Sequence, residues 1–99
     1  MPLTDTGWSH RGWLDIINEI LIICQDGELK YKVMYKTKLN SREINTYMEF
    51  LAATGMLETS RKSPVSKRLI YKTSPKGKEF VTRYKELIDL FKIQQIITE

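Results

Sequence analysis

The side chains best placed to do chemistry in this sequence are cations, and the chemistry they suit is neutralisation of a polyanion. Lys30, Lys32, Lys36, Lys38 and Arg42 follow one another with no acid among them. Arg61, Lys62, Lys67, Arg68, Lys72, Lys76 and Lys78 form a second acid-free run. All twelve acidic residues lie outside these stretches, so the formal charge of +4 conceals a slightly acidic body carrying two strongly cationic segments. A single lysine cluster usually does no more than solvate a loop or a helix face. Two clusters that fall on particular structural elements are the electrostatic footprint of a chain that meets a polyanion.

Other chemistries find no constellation. Asp15, Glu19, Glu43 and Glu49 are scattered singly, with no nucleophile, base and orienting group to form a catalytic set, so no enzyme is expected. His10 and Cys24 are the only residues of their types, which leaves no zinc-ligand spacing, and neither a metal nor a cofactor is expected. Cys24 falls on an apolar helical stripe, where it reads as a small core residue rather than a redox sensor. The longest apolar run, Ile20 to Cys24, is far short of the roughly 20 residues that cross a bilayer. The first seven residues have neither a basic start nor an apolar stretch, so no signal peptide is read. These features point to a cytoplasmic location, associated with the nucleoid if the polyanion is DNA.

Periodicity shows which helices and strands carry the cations. A chain of 99 residues makes one domain with a small core, which a second copy would help to stabilise. Residues 1–10 read as an N-terminal extension, in which Trp8 could pack on the body or lie in a dimer interface. From Arg11 to Asp26, Trp13, Ile16, Ile17, Ile20, Ile23 and Cys24 recur at helical spacing, with Leu14 and Leu21 widening the apolar face, until Asp26-Gly27 stops the helix. Leu29 to Lys38 reads as a short second helix with Val33 and Met34 inward. Asn40 with Glu43 forms a capping box for a third helix whose inner face is Ile44, Tyr47, Met48, Leu51 and Ala52, and Gly55 ends it. Met56–Thr59 and Arg68–Thr73 read as two antiparallel strands around a basic turn. Ser74-Pro75 opens a last helix, with Phe80, Tyr84, Leu87 and Phe91 on one stripe and Val81 and Ile88 beside it. If unbroken to Ile97 it would reach on the order of 35 Å.

This order predicts a mainly α fold with a small β-hairpin. Helix two, the turn at Lys38-Leu39-Asn40 and helix three make a helix-turn-helix, and the hairpin adds a wing, all within residues 11–74. In that geometry helix three enters a DNA major groove, and Ser41, Arg42, Asn45, Thr46 and Glu49 face outward to bases or phosphates. Arg61, Lys62, Lys67 and Arg68 on the wing would position the phosphate backbone. A winged helix can also serve protein interaction within the transcription machinery, or bind RNA, and fold alone does not choose among these.

Lys30 to Asn40, Tyr47 and Leu51 followed by Gly55-Met56-Leu57, and Tyr71 to Phe80 occur in the order and spacing of a known pattern. Over about Gly12 to Phe91 the chain resembles a family of small archaeal winged-helix DNA-binding proteins. The resemblance implies double-stranded DNA as a partner, a role as transcriptional regulator or chromatin-like protein, and a homodimer formed through the C-terminal helices, in some members as an antiparallel coiled coil. Residues 75–99 would then be the dimerisation element, with Tyr84, Leu87, Ile88 and Phe91 in the interface. Two positions depart from the pattern: Tyr31 stands where a small polar residue is usual, and Gln94 where the seam is apolar.

Overall fold

The computed structural model describes residues 12–61 and 67–92. The chain runs α1 (Trp13–Ile23), β1 (Glu28–Leu29), α2 (Lys30–Thr37), α3 (Ser41–Ala53), β2 (Leu57–Arg61), β3 (Leu69–Thr73) and α4 (Pro75–Asp89). Four helices thus surround an antiparallel sheet in the order β1-β3-β2. The hairpin pairs Leu57 with Thr73 and Arg61 with Leu69. The sequence reading missed β1, whose two residues pair with Tyr71 and Ile70 on the other edge of β3. So short a strand has no period of its own, and only the presence of β3 makes it one.

Local chemistry accounts for the helix ends. Asn40 accepts the Glu43 amide at 2.8 Å, and the Glu43 carboxylate accepts the Asn40 amide at 3.0 Å, a complete capping box. Ser74 caps α4 by accepting from Gly77 N at 3.1 Å, with Pro75 at the first helical position. Lys38 closes α2 in the left-handed region at φ 61, which brings its N–H and that of Leu39 onto the carbonyls of Tyr35 and Met34. The turn between α2 and α3 is therefore as tight as the residues predicted.

Ile17, Ile20, Leu21, Cys24, Val33, Ile44, Met48, Leu51 and Leu57 form the core. Two expectations change here. Trp13 is 60% exposed although it lies on the predicted stripe, because α1 begins there and only its later turns are covered. Ala52, read as part of the inner face of α3, is exposed, whereas Leu21 is fully buried where α4 packs on α1, as the widened apolar face of that helix predicts. Two ends also move inward. Helix α1 finishes at Ile23 with Cys24 as cap, and α4 finishes at Asp89, since Leu90, Phe91 and Lys92 donate three residues back, to Leu87, Ile88 and Asp89. Residues 93–99, including Gln94, and the N-terminal extension with Trp8 lie outside the described residues.

One polar clasp joins the layers. Thr73 donates its N–H to Cys24 O at 3.0 Å and its hydroxyl to Leu21 O at 2.6 Å, tying β3 to the end of α1. Ser74 donates its N–H to Met56 O at 3.0 Å and its hydroxyl to Gly55 O at 2.6 Å, tying the start of α4 to the turn after α3. Both residues are buried, so each of these bonds satisfies a group that water cannot reach. The wing and α3 are fixed to one another through this point.

Candidate nucleic-acid interface

Because Ile44, Met48 and Leu51 are held in the core, helix geometry turns the opposite face of α3 outward. Ser41, Arg42, Asn45, Thr46 and Glu49 are all exposed there, as the periodicity predicted. Their hydrogen bonds differentiate them. Thr46 returns its hydroxyl proton to Arg42 O at 3.0 Å and keeps only acceptor capacity. Asn45 Oδ1 accepts from Lys30 Nζ at 2.6 Å across the gap between α2 and α3. A bidentate contact to adenine uses that oxygen as acceptor, so Lys30 must share it or release it when Asn45 meets a base. Glu49 stands near Tyr71 of β3, whose hydroxyl is pushed above its usual pKa mainly by burial and secondarily by the Glu49 charge.

Of the wing residues, Arg61 at the end of β2 and Lys67 and Arg68 before β3 are exposed, and Lys62 lies outside the described residues. Arg68 leans toward the body, its guanidinium carbon 6.0 Å from the centroid of the Tyr31 ring on α2. The flank of the hairpin is thereby connected to the first turn of α2. Lys30 and Tyr31 are residues that periodicity passed over, since neither belongs to an apolar stripe. The signal for Lys30 was its place at the head of the first acid-free run.

At the far side of the molecule the predicted dimer stripe divides. Tyr84 and Ile88 are half-buried and, with Asn18, Ile22 and Val81, line a groove of about 300 Å³ between α1 and α4. Tyr84 stacks on Phe80 with centroids 5.9 Å apart. Leu87 and Phe91 instead point outward, beside Leu90, which is 79% exposed.

Glu28 is held below the usual carboxylate range first by the Leu29 N–H and then by its ion pair with Lys36 at 3.2 Å. The buried Cys24 thiol is pushed up to about 12, chiefly by desolvation and further by the Glu28 charge, with Lys36 opposing. Ellman's reagent at pH 8 is expected to react with Cys24 at least about 100-fold more slowly in the folded than in the urea-unfolded protein, since only the thiolate attacks. The sign for stability follows. Below pH 9 Cys24 is protonated in both states, and above it the unfolded chain loses a proton that the fold retains, so stability falls progressively between pH 9 and about 12.

Among the described residues no group of three or more His, Cys, Asp or Glu side chains could hold a metal ion, and no helix is long and apolar enough to cross a membrane. A winged helix-turn-helix family profile matches residues 10–92. The uncharacterized protein MJ0287 of Methanocaldococcus jannaschii is 29% identical over 84 residues, spanning 84% of this chain and 76% of that protein. The fold is also similar to the crystal structure of Sso10a-2, a DNA-binding protein from Sulfolobus solfataricus, with a TM-score of 0.71 and 28% identity over 81% of each chain. Both relatives are archaeal, the group to which the resemblance pointed. With the helix-turn-helix, the wing and a profile match over most of its length, the chain belongs to the winged helix-turn-helix family.

Proposed function

We propose that this protein binds double-stranded DNA as a homodimer and acts as a transcriptional regulator or chromatin-like protein in the cytoplasm, associated with the nucleoid. The observation that carries the reading is the exposed polar face of α3 flanked by cations of the wing and of the α2 start, with the apolar residues of α3 locked into the core. Helix α3 enters the major groove, where Arg42 and Asn45 read base edges, and Arg61, Lys62, Lys67 and Arg68 hold the flanking phosphates. The similarity to Sso10a-2, a DNA-binding protein, supports this assignment. The protein works by binding and not by catalysis.

The outward Leu87, Leu90 and Phe91 support a second copy as the partner of α4, since a small domain gains most from covering such residues. Asn18 adds to that support, because its buried Oδ1 has no hydrogen-bond partner among the described residues and borders the α1–α4 groove. Two protomers would place their α3 helices in successive major grooves, about one helical turn apart. The test is fluorescence-anisotropy titration of a labelled random-sequence duplex at about 50 mM salt, with the mass of the free protein measured by sedimentation. Saturable binding by a species of twice the chain mass is expected. No binding would overturn the duplex reading, and a monomer would overturn the dimer.

A further inference from the structure

A second feature adjoins the α3 face without belonging to it. Between the first turn of α2 and strand β3 lies a cleft of about 330 Å³, within the range of small-ligand pockets. Tyr31, Leu69 and Tyr71 give it apolar and aromatic walls, and Lys30, Lys67 and Arg68 give it a cationic rim, with no acidic residue in the lining. We propose that this cleft holds an unpaired nucleotide of a DNA strand, its base stacked on Tyr31 and its phosphate held by the rim cations.

The chemistry of the lining selects that occupant. Contacts to duplex phosphates need cations or hydrogen-bond donors, a tyrosine hydroxyl among them, on an open surface and make no use of the face of an aromatic ring. The bases of a duplex are stacked on one another and offer a protein only their edges, whereas an unpaired base offers a π-face. A nucleotide combines a planar base with an anionic phosphate, which is the pairing of surfaces found here. Tyr31 is 46% exposed and meets Tyr35, 71% exposed one turn later, edge-on at 89° with centroids 6.3 Å apart. That arrangement does not cover the faces of both rings, as a stacked pair would.

Arg68 sits over Tyr31 at 6.0 Å. A base between them needs about 7 Å, twice the roughly 3.5 Å contact of carbon atoms, so the guanidinium must move back by about 1 Å. Arginine planes themselves stack on bases, and the inserted base would gain a second face. Continuity with the α3 face comes from Lys30, which bonds Asn45 at 2.6 Å. A strand leaving a duplex on α3 therefore passes the cleft, so the preferred substrate is a junction of duplex and single strand. That last step rests on the duplex reading, and the cleft itself does not.

The experiment compares three labelled probes on the full chain: a blunt duplex, the same duplex with a five-thymidine tail, and free oligothymidine. The tailed duplex is expected to bind roughly tenfold tighter than the blunt one, the scale of one stacked base. Tyr31→Ala should abolish that gain at unchanged blunt-duplex affinity, and Tyr31→Phe should retain it, with thermal melting to verify that both variants fold. A tail carrying 5-iododeoxyuridine should photo-crosslink to Tyr31 or Tyr71. Equal affinity for blunt and tailed duplexes, or a gain that survives Tyr31→Ala, overturns the proposal and leaves the duplex reading in place. Binding of tailed duplex and oligothymidine without binding of blunt duplex sustains the cleft and overturns the duplex reading. Binding of none of the three overturns both.

Discussion

Raising salt from about 50 to 200 mM is expected to weaken duplex binding by about 10³-fold or more, the loss associated with neutralising roughly 6 to 10 phosphates per complex. The expectation follows from the distribution of charge: the basic residues that flank α3 belong to two runs free of acid, and they outnumber Glu43 and Glu49 on α3 itself. Replacing Arg61, Lys62, Lys67 and Arg68 together by alanine should lower the slope of log affinity against log salt by roughly 3 to 4, about 0.9 for each phosphate no longer neutralised. At about 100 mM salt, relative to a reference of about 1 M, that corresponds to a weakening on the order of 1,000-fold on every sequence. Arg42→Ala should behave differently. A bidentate pairing with guanine discriminates by about 1 to 3 kcal/mol, so removing it should relax preference at one position of a selected site and change random-sequence affinity little. Anisotropy titrations over a salt series read both effects. An unaltered slope in the fourfold variant would remove the wing from the interface.

Gly77→Ala should cost about 3 kcal/mol and lower Tm by roughly 12 to 24 °C, the upper end of what overpacking does in a domain of this size. Gly77 is buried in the first turn of α4, and a methyl group there would overlap the Met56 carbonyl oxygen, lie 2.7 Å from Thr73 Cγ2 and 3.3 Å from Leu21 Cδ2. None of these neighbours can give way cheaply. The Met56 carbonyl accepts the Ser74 N–H, Thr73 is bonded to both Cys24 and Leu21, and Leu21 is fully buried. The helix would have to retreat from α1 and the sheet, opening the clasp at Thr73 and Ser74. Gly55→Ala provides the contrast. At φ +80 its nearest neighbour is Lys76 Cδ at 3.9 Å, so only the left-handed backbone is penalised, by about 1 kcal/mol. Thermal and urea unfolding of the two variants measure the difference, and a Gly77→Ala protein as stable as the parent would contradict the close approach of α4.

Much of the architecture was legible because its signals are local. The Asn40–Glu43 box and the Ser74-Pro75 start act within one helical turn, so they survive any tertiary arrangement and appeared where the residues placed them. The same holds for the outward face of α3, which Ile44, Met48 and Leu51 define by spacing alone. Burial at element ends was not legible. Trp13 falls on the same helical stripe as Ile17 and Ile20, and its exposure depends on how far α4 and the sheet extend along α1. Tyr31 carried no periodic signal, because its significance comes from Arg68 and Tyr71, which lie roughly 40 residues further along the chain.

The order of the helices, the Asn40 and Ser74 caps, the hairpin and the two cationic runs were thus readable from the residues alone, all being properties of neighbours within a few residues. Packing was needed for β1 to complete the sheet, for Thr73 and Ser74 to clasp β3 to α1 and α4 to the turn after α3, for Lys30 to reach Asn45, and for Tyr31 and β3 to enclose a cationic cleft. The physical reason is one of range. Capping and amphipathic spacing are decided by backbone geometry over one or two turns, whereas these interactions join residues distant in sequence and exist only after the core of α1, α2 and α3 has fixed where each backbone lies.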